Sequence, residues 1–358
     1  MTERERKVLK EQKQAFRRFC YRHKHLYRMF SQWFERRNNC ALRRARQEKG
    51  IDNNLVVFSS YNMRSFNDNP FYICKAVHAM RSKTDLVWIF KDVKQTEMRY
   101  DIPDYVRCVE WKTPEGYEAL GRARVVVDNW QKYDWLRLGR DQVYLFSPHH
   151  DRSFKTGLFA SKDWFYNRTV ESGAAAATVG SGFCKGFLHE AYHFQGEYIE
   201  CGQPRNDLLV HDDPEDEARI RARLGVAEDV KLLLLAPTYR DAETRAGRGQ
   251  HIALDIGHIL DTLEASTRAR WLCLVRAHYL ALGLDFDRSL KSDRIMDVTA
   301  YPEMAELLRV SDALITDYSC CAGDFALRGK PIWLYIADID EFTKNSRGLY
   351  VDPRDTPY

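Results

Sequence analysis

Four hydrophobic runs in the last third of the chain share one habit: KLLLLAPTYRD, WLCLVRAHY, DALITDYS and PIWLYIAD each stay apolar for several residues and then turn polar. An unbroken apolar run of that length suits a strand covered on both faces, as in a parallel sheet, and its polar residues then fall at the carboxyl end. Helical segments separate the runs, so crossover helices join parallel strands and the class is α/β. Ligands of open α/β sheets sit outside the carboxyl ends of the strands, so chemistry is expected where these runs turn polar.

The same alternation occupies the middle of the chain. LVVFSS (55–60) precedes a helix of roughly 70–82, LVWIF (86–90) follows, and RVVVDN (124–129) and VYLFS (143–147) come after further helical stretches. A second series opens at DDPEDEARIRARLGV (212–226), with Asp and Pro at helix-start positions and Gly225 at the stop. The expected organisation is a Rossmann-like domain over 51–211 and a second over 212–358, facing each other across a cleft and linked around Gly202–Asp213.

Residues 1–50 differ from everything after them. They carry 16 Lys or Arg against 5 Asp or Glu, whereas the remainder carries 39 against 46, so the formal net charge of +4 hides a basic arm on an acidic body. In the arm Phe16, Phe19, Cys20, Leu26, Tyr27, Phe30, Trp33 and Phe34 recur at three- and four-residue steps between basic residues, the pattern of a basic amphipathic helix. Such a helix lies on an anionic membrane surface, gaining roughly 1 kcal/mol per basic side chain near it; docking on the body, or pairing with another copy of the chain as a homo-oligomer, is the alternative. Nucleic acid is set aside because no further basic patch follows. With 44% hydrophobic and 30% charged residues, no apolar run of membrane-spanning length and a charged N-terminus, a cytoplasmic globular protein is expected. The nine cysteines include no C-x-x-C pair and read as reduced thiols, Cys320 and Cys321 among them.

Several strand ends carry groups suited to chemistry. LLAPTYRD (234–241) closes with Thr238, Tyr239 and Arg240, donors for phosphate or an aromatic base. LVRAHY (274–279) projects Arg276 and His278 to one side, a cation and an imidazole able to neutralise a pyrophosphate and stabilise a leaving phosphate. SPHHDRSFKTG (147–157) crowds His149, His150, Asp151, Arg152 and Lys155 after a strand, more than packing explains. Zinc on His149, His150 and Asp151 would need ligands from elsewhere because adjacent side chains diverge, so no metal is assigned. At LITDYSCCAGDFALRGK (314–330) there is no Gly-rich phosphate loop. The expected anion-binding device is therefore the helix N-terminus behind Ser319, with that hydroxyl and the first backbone N–H groups. Asp324, one turn in, takes a ribose hydroxyl or favours the helix dipole. GQPRND (202–207) sets Arg205 and Asn206, followed by Asp207, at a helix start opened by Pro204, where capping is expected.

Together these motifs resemble the CDP-glycerol glycerophosphotransferase family, the teichoic-acid polyol-phosphate primases and polymerases. GQPRND is similar to the family's G-x-P-R-N-D, LLAPTYRD to A-P-T-[WY]-R-D, and LVRAH to [LV]-R-x-H-P, with Tyr279 in place of the proline. Residues 300–335 resemble Y-P-[DE]-x-x-x-L-L-x-x-[AS]-D-x-L-I-T-D-Y-S-S-x-x-x-D-F-A-L-x-x-K-P, with Cys320 replacing the second serine. One motif departs: where the family has W-H-G-T-P-L-K or W-H-A-x-G-A-F-K, this chain has PHHDRSFK, keeping His149 for the catalytic histidine and Phe154–Lys155 for the final pair. The family pattern also continues past RG-x-Y-x-D, whereas this sequence stops at Tyr358; a shortened chain, or the loss of a last helix packing on the first domain, is expected.

The resemblance implies a GT-B-like fold whose C-terminal domain holds CDP-glycerol or CDP-ribitol through Thr238, Arg240, Arg276, Thr316, Ser319 and Asp324. It implies His149 as the base that deprotonates an acceptor hydroxyl, with His278 and Arg276 stabilising charge as CMP leaves. No cofactor is required, since the CDP-alcohol is a substrate. The acceptor would be a lipid-linked glycan or polyol phosphate in teichoic-acid or capsule-like synthesis, placing the protein peripherally on the inner face of the cell membrane. A GT-B sugar-nucleotide glycosyltransferase, or a non-catalytic membrane-associated scaffold of the same fold, is the alternative.

Overall fold

The computed structural model describes residues 23–130, 138–149, 174–192, 194–211, 213–238, 254–277, 292–345 and 348–355. It opens with a helix, α1 (Lys24–Lys49), and then alternates: β1 (Asp52–Ser59), α2 (Asp68–Met80), β2 (Asp85–Phe90), α3 (Val93–Glu97), β3 (Val106–Glu110), α4 (Pro114–Arg122) and β4 (Ala123–Asp128). Next come β5 (Val143–Phe146), β6 (Ala176–Val179), α5 (Gly182–Tyr192) and β7 (Glu197–Glu200). These seven strands form one all-parallel sheet in the order β3-β2-β1-β4-β5-β6-β7. The direction of winding reverses between β1 and β4, the topological switch point at which open α/β sheets take ligands.

A 3₁₀ turn at Pro204–Asn206 leads through α6 (Asp207–Val210) and α7 (Pro214–Leu224) to the second layer. There β8 (Lys231–Ala236), α8 (Ile256–Thr267), β9 (Trp271–Val275), β10 (Ile295–Asp297), α9 (Met304–Val310), β11 (Ala313–Thr316), α10 (Cys321–Phe325), β12 (Ile332–Leu334) and α11 (Ile339–Asn345) follow. The sheet, β10-β9-β8-β11-β12, is again parallel, and its switch point lies between β8 and β11.

Both sheets are covered on two faces, as the continuous apolar runs require. In β1, Leu55 and Val57 join one core while Val56 and Phe58 pack in the other; in β8, Leu232 and Leu234 are separated from Leu233 and Leu235 in the same way. Local signals fix the helix ends. Thr113 caps α4, accepting from the Gly116 N–H with Pro114 in the first turn. Asp213 caps α7, three acidic residues fill its first turn, and Gly225 ends it in the left-handed region at φ 68°.

The basic arm does not stand off the body along its whole length. Leu42 is buried in the first core, Asn38 accepts from the Tyr117 hydroxyl at 2.8 Å, and Gly121 lets α4 approach so closely that an added Cβ would sit 2.7 Å from the Leu42 carbonyl oxygen. Nearer its N-terminus α1 leaves Met29 and Trp33 66% and 55% exposed, with Arg37 over the Trp33 ring. Residues 1–22, including Phe16, Phe19 and Cys20, and the side chains of Leu26, Tyr27, Phe30 and Phe34, lie outside the described residues.

Candidate functional site

The carboxyl ends at the two switch points meet across the seam between the layers. On the first side, β5 delivers Ser147, Pro148 and His149. The His149 ring stacks on Trp130 (centroids 5.2 Å, 13°) and lies 5.1 Å from the Tyr61 ring. Its Nδ1 is 3.3 Å from the Asn129 carbonyl oxygen. A carbonyl can only accept, so Nδ1 carries the proton and, in the neutral ring, Nε2 carries the lone pair. Trp130 is held in turn by Asp128, which accepts its N–H at 2.6 Å and also accepts from the Ser59 hydroxyl. Just after β1, Tyr61, Asn62 and Met63 occupy left-handed backbone conformations without a glycine (φ 43°, 60° and 61°), a cost of roughly 1 kcal/mol each that is concentrated beside His149.

Behind these residues lies a buried charged cluster. Arg205 pairs with Asp68 at 3.2 Å and with Asp324 at 2.9 Å, all three buried. Asn206 donates to the other Asp324 oxygen at 2.9 Å. Asp68 accepts from the Tyr61 hydroxyl at 2.6 Å and from the Asn129 amide at 3.1 Å, while its own N–H donates to Glu303 at 2.9 Å. Burial pushes the Asp68 carboxyl up, but the Arg205 guanidinium, then His149 and the Tyr61 hydroxyl, outweigh it and hold it below the ordinary value. Glu303 caps α9 by accepting from Ala305 N–H, and burial drives its carboxyl up to about 7 in spite of its two N–H donors. Asn67 adds a bond to the Pro302 carbonyl at 2.8 Å, so one short stretch, 67–69, ties the first layer to the second.

On the second side, Asp317 accepts from the N–H groups of Thr238 (2.8 Å) and Tyr318 (2.7 Å), which binds the end of β8 to the turn after β11. Arg276, at the end of β9, donates to the Tyr301 carbonyl at 2.9 Å. The turn reaches the first layer through Cys320, whose thiol donates to the His149 carbonyl at 3.9 Å. His149 and the TDYSC turn, 171 residues apart, are thereby neighbours.

Several expectations change at this level of detail. Asp324 lies in the first turn of α10, and its two oxygens accept from Arg205 and Asn206. GQPRND is accordingly a bridge between the layers rather than a cap, and Asp207 at its end is exposed. Thr316 points into the sheet, donating to the Ala236 carbonyl at 2.6 Å. Helix α10 has only five residues, and its first N–H groups are used locally: Cys321 donates to the Ser319 hydroxyl, Ala322 to the Ser319 carbonyl and Gly323 to the Cys320 carbonyl. A phosphate at this turn would therefore rely on side chains more than on the helix end. His278, Arg240 and Lys155, and with them His150 and Asp151, lie outside the described residues. Among the described residues no group of His, Cys, Asp and Glu could hold a metal ion, and the eight cysteines there form no disulfide. Sequence reading passed over Tyr61, Asp68, Asn69, Asn129 and Glu303; the only signal for them was position, since Tyr61 and Asn129 directly follow the strands that flank the first switch point.

Two parallel, doubly covered sheets whose switch points face each other, with an imidazole on one side and a donor-rich turn on the other, define a GT-B-like transferase. The family model described as CDP-glycerol:poly(glycerophosphate) glycerophosphotransferase matches residues 41–357. The chain belongs to that family. It is 28% identical to the teichoic acid glycerol-phosphate transferase of Staphylococcus aureus, over 84% of this chain and 78% of that protein. It is 34% identical to the teichoic acid poly(glycerol phosphate) polymerase of Bacillus subtilis, over 84% of this chain but 41% of that longer protein. A solved structure of the wall teichoic acid polymerase TagF superposes with a TM-score of 0.74 at 25% identity, covering 92% of this chain and 84% of that one.

Proposed function

We propose that this chain transfers glycerol phosphate or ribitol phosphate from a CDP-alcohol to a hydroxyl of a polyol-phosphate acceptor, releasing CMP, in the synthesis of a teichoic-acid-like polymer. The observation that carries the reading is the meeting of His149 with the Ser319–Cys320 turn across the seam, in a chain of this family. His149 acts as the base: Nε2 takes the acceptor's proton as its oxygen bonds to the polyol-bearing phosphorus, and the pyrophosphate P–O bond breaks with its electrons on CMP. Thr238, Ser319 and Arg276, at the ends of adjacent strands, hold the donor's phosphates, joined by Arg240 and His278; Lys155 follows His149 on the acceptor side. Positioning and charge neutralisation supply most of the catalysis in phosphoryl transfer, so no cofactor is invoked.

The exposed Met29 and Trp33 beside Arg36 and Arg37 support a peripheral membrane role for the arm, bringing the enzyme to a lipid-linked acceptor on the inner face of the membrane. No helix among the described residues is long and apolar enough to cross a membrane.

The test is CMP release from CDP-glycerol and from CDP-ribitol with glycerol-phosphate and ribitol-phosphate oligomers as acceptors. Release with one donor, lost in His149→Ala, is expected; release from neither donor across the acceptors would overturn the reading. Flotation with anionic vesicles at low salt tests the arm, and a chain that stays with the pellet at every lipid composition removes it from the proposal.

A further inference from the structure

The stretch Asn67–Asp68–Asn69 belongs to no motif that the sequence brings forward, yet its contacts run to His149 on one side and to the second layer on the other. We propose that Asp68 and Asn69 are positioning residues for the His149 base, and that they make its alignment depend on the seating of the C-terminal domain. The proposal rests on the reading of His149 as the base.

Toward His149, Asn69 donates from Nδ2 to the Pro148 carbonyl at 3.0 Å, fixing the backbone immediately before the histidine. Asp68 accepts from the Asn129 amide, and the Asn129 carbonyl is the group that accepts the His149 Nδ1 proton. The same Asp68 oxygen accepts from the Tyr61 hydroxyl, whose ring flanks the imidazole. Three bonds therefore set the imidazole's height, tilt and tautomer, the arrangement by which supporting groups commonly orient a histidine. Away from His149, Asp68 pairs with Arg205 and donates to Glu303, and the Asn69 side-chain oxygen accepts from the Arg205 N–H at 3.2 Å. Arg205 in turn grips Asp324, and Glu303 caps α9, so both outer anchors belong to the second layer. If that layer swings away, Asp68 loses Glu303, and Arg205, on the turn between the layers, loses Asp324.

The conformation argues against a purely structural role. Asp68 itself has φ 62°, a left-handed backbone that a glycine would adopt more cheaply, and the carboxylate it carries is what reaches both sides. A buried ion pair is also an inefficient way to gain stability, because desolvation offsets much of the attraction.

The test combines ring-nitrogen NMR of histidine-labelled full-length protein with steady-state CMP release, in the wild type and in Asp68→Asn, Asn69→Ala and Tyr61→Phe. Eleven histidines require that the His149 signal be assigned by its absence in His149→Gln. The wild type should show His149 as the Nδ1–H tautomer. The variants should move toward a tautomer mixture, with kcat down about tenfold or more and the donor KM changed by less than about threefold. Tyr61→Phe removes one hydroxyl and keeps the ring, so a variant expected to fold remains even if Asp68→Asn does not. Unchanged tautomer and kcat in the folded variants would overturn the proposal; so would a loss carried wholly by donor KM, which a displaced domain alone would produce. If the wild type releases no CMP, the reading of His149 as base fails, while the tautomer comparison in the resting protein still decides whether Asp68 and Asn69 position the ring.

Discussion

Glu303 gives a pH dependence whose sign and size follow from its surroundings. Burial raises its carboxyl from 4.5 to about 7, opposed by the N–H donors of Asp68 and Ala305 and by Arg276, and reinforced by the Asp68 charge. A carboxyl whose folded value lies above its unfolded value binds its proton more tightly in the folded chain. Its favourable contribution is therefore complete below about pH 4.5 and is lost as pH rises through about 7. A shift of about 2.5 units at 1.36 kcal/mol per unit corresponds to about 3 kcal/mol, of which some 2 to 3 kcal/mol falls between about pH 5 and pH 8. Glu303→Gln cannot titrate. It brings a fixed penalty of about 1–3 kcal/mol, because one N–H now faces an amide N–H₂, but that offset does not vary with pH. Asp68, held below its ordinary value, changes charge only at lower pH and is common to both proteins. Denaturant unfolding at several pH values should then show the wild type losing about 2–3 kcal/mol relative to Glu303→Gln as pH rises. Parallel stability profiles would refute the argument, as would a wild type that gains stability relative to the variant.

Three further outcomes test other parts of the molecule. Arg205→Ala leaves Asp68 and Asp324 buried without their cation, and denaturant unfolding should register a loss of about 3–5 kcal/mol; a loss below about 1 kcal/mol would mean the cluster is solvated. Gly121→Ala places a methyl against the Leu42 carbonyl and the Ala45 side chain, so a cost of about 1–3 kcal/mol by unfolding is expected, and a neutral result would mean α1 is not docked on α4. Cys320→Ser restores a hydroxyl beside Ser319 at the turn facing His149, and calorimetry should find CDP-glycerol bound several-fold more tightly, with unchanged affinity refuting a donor phosphate at that position.

What could be read from the sequence follows from where each element sits. The strands at the centre of each sheet are apolar without interruption because helices cover both their faces, and LVVF, LVWIF, VVV and LLLL announce them. The strands that escaped notice lie toward the edges. VRCVE turns Arg107 and Glu110 to solvent, EYIE is largely exposed, and IMD is three residues long, so none forms an apolar run. β6, AATV, is hidden by its alanines rather than by exposure. The residues that dock the arm are hard to read for a similar reason: Leu42 and Asn38 are single residues in an arginine-rich stretch. At the site, residues that end strands were legible because the α/β architecture dictates their place. Asp68 and Glu303 were not, because their meaning is a contact between residues 235 apart in sequence.

That division explains the altered role of Asp324 as well. A carboxylate one turn into a helix and an arginine after a proline each have an adequate local account, and only the fold brings them together at 2.9 Å. Once they meet, two carboxylates and a guanidinium removed from water stabilise one another, and removing any one of them leaves a buried charge. The cluster joins the two layers. It is placed to set how the donor-bearing turn and the histidine face each other, and substitutions in it should act on turnover through geometry while leaving the groups that touch the nucleotide intact.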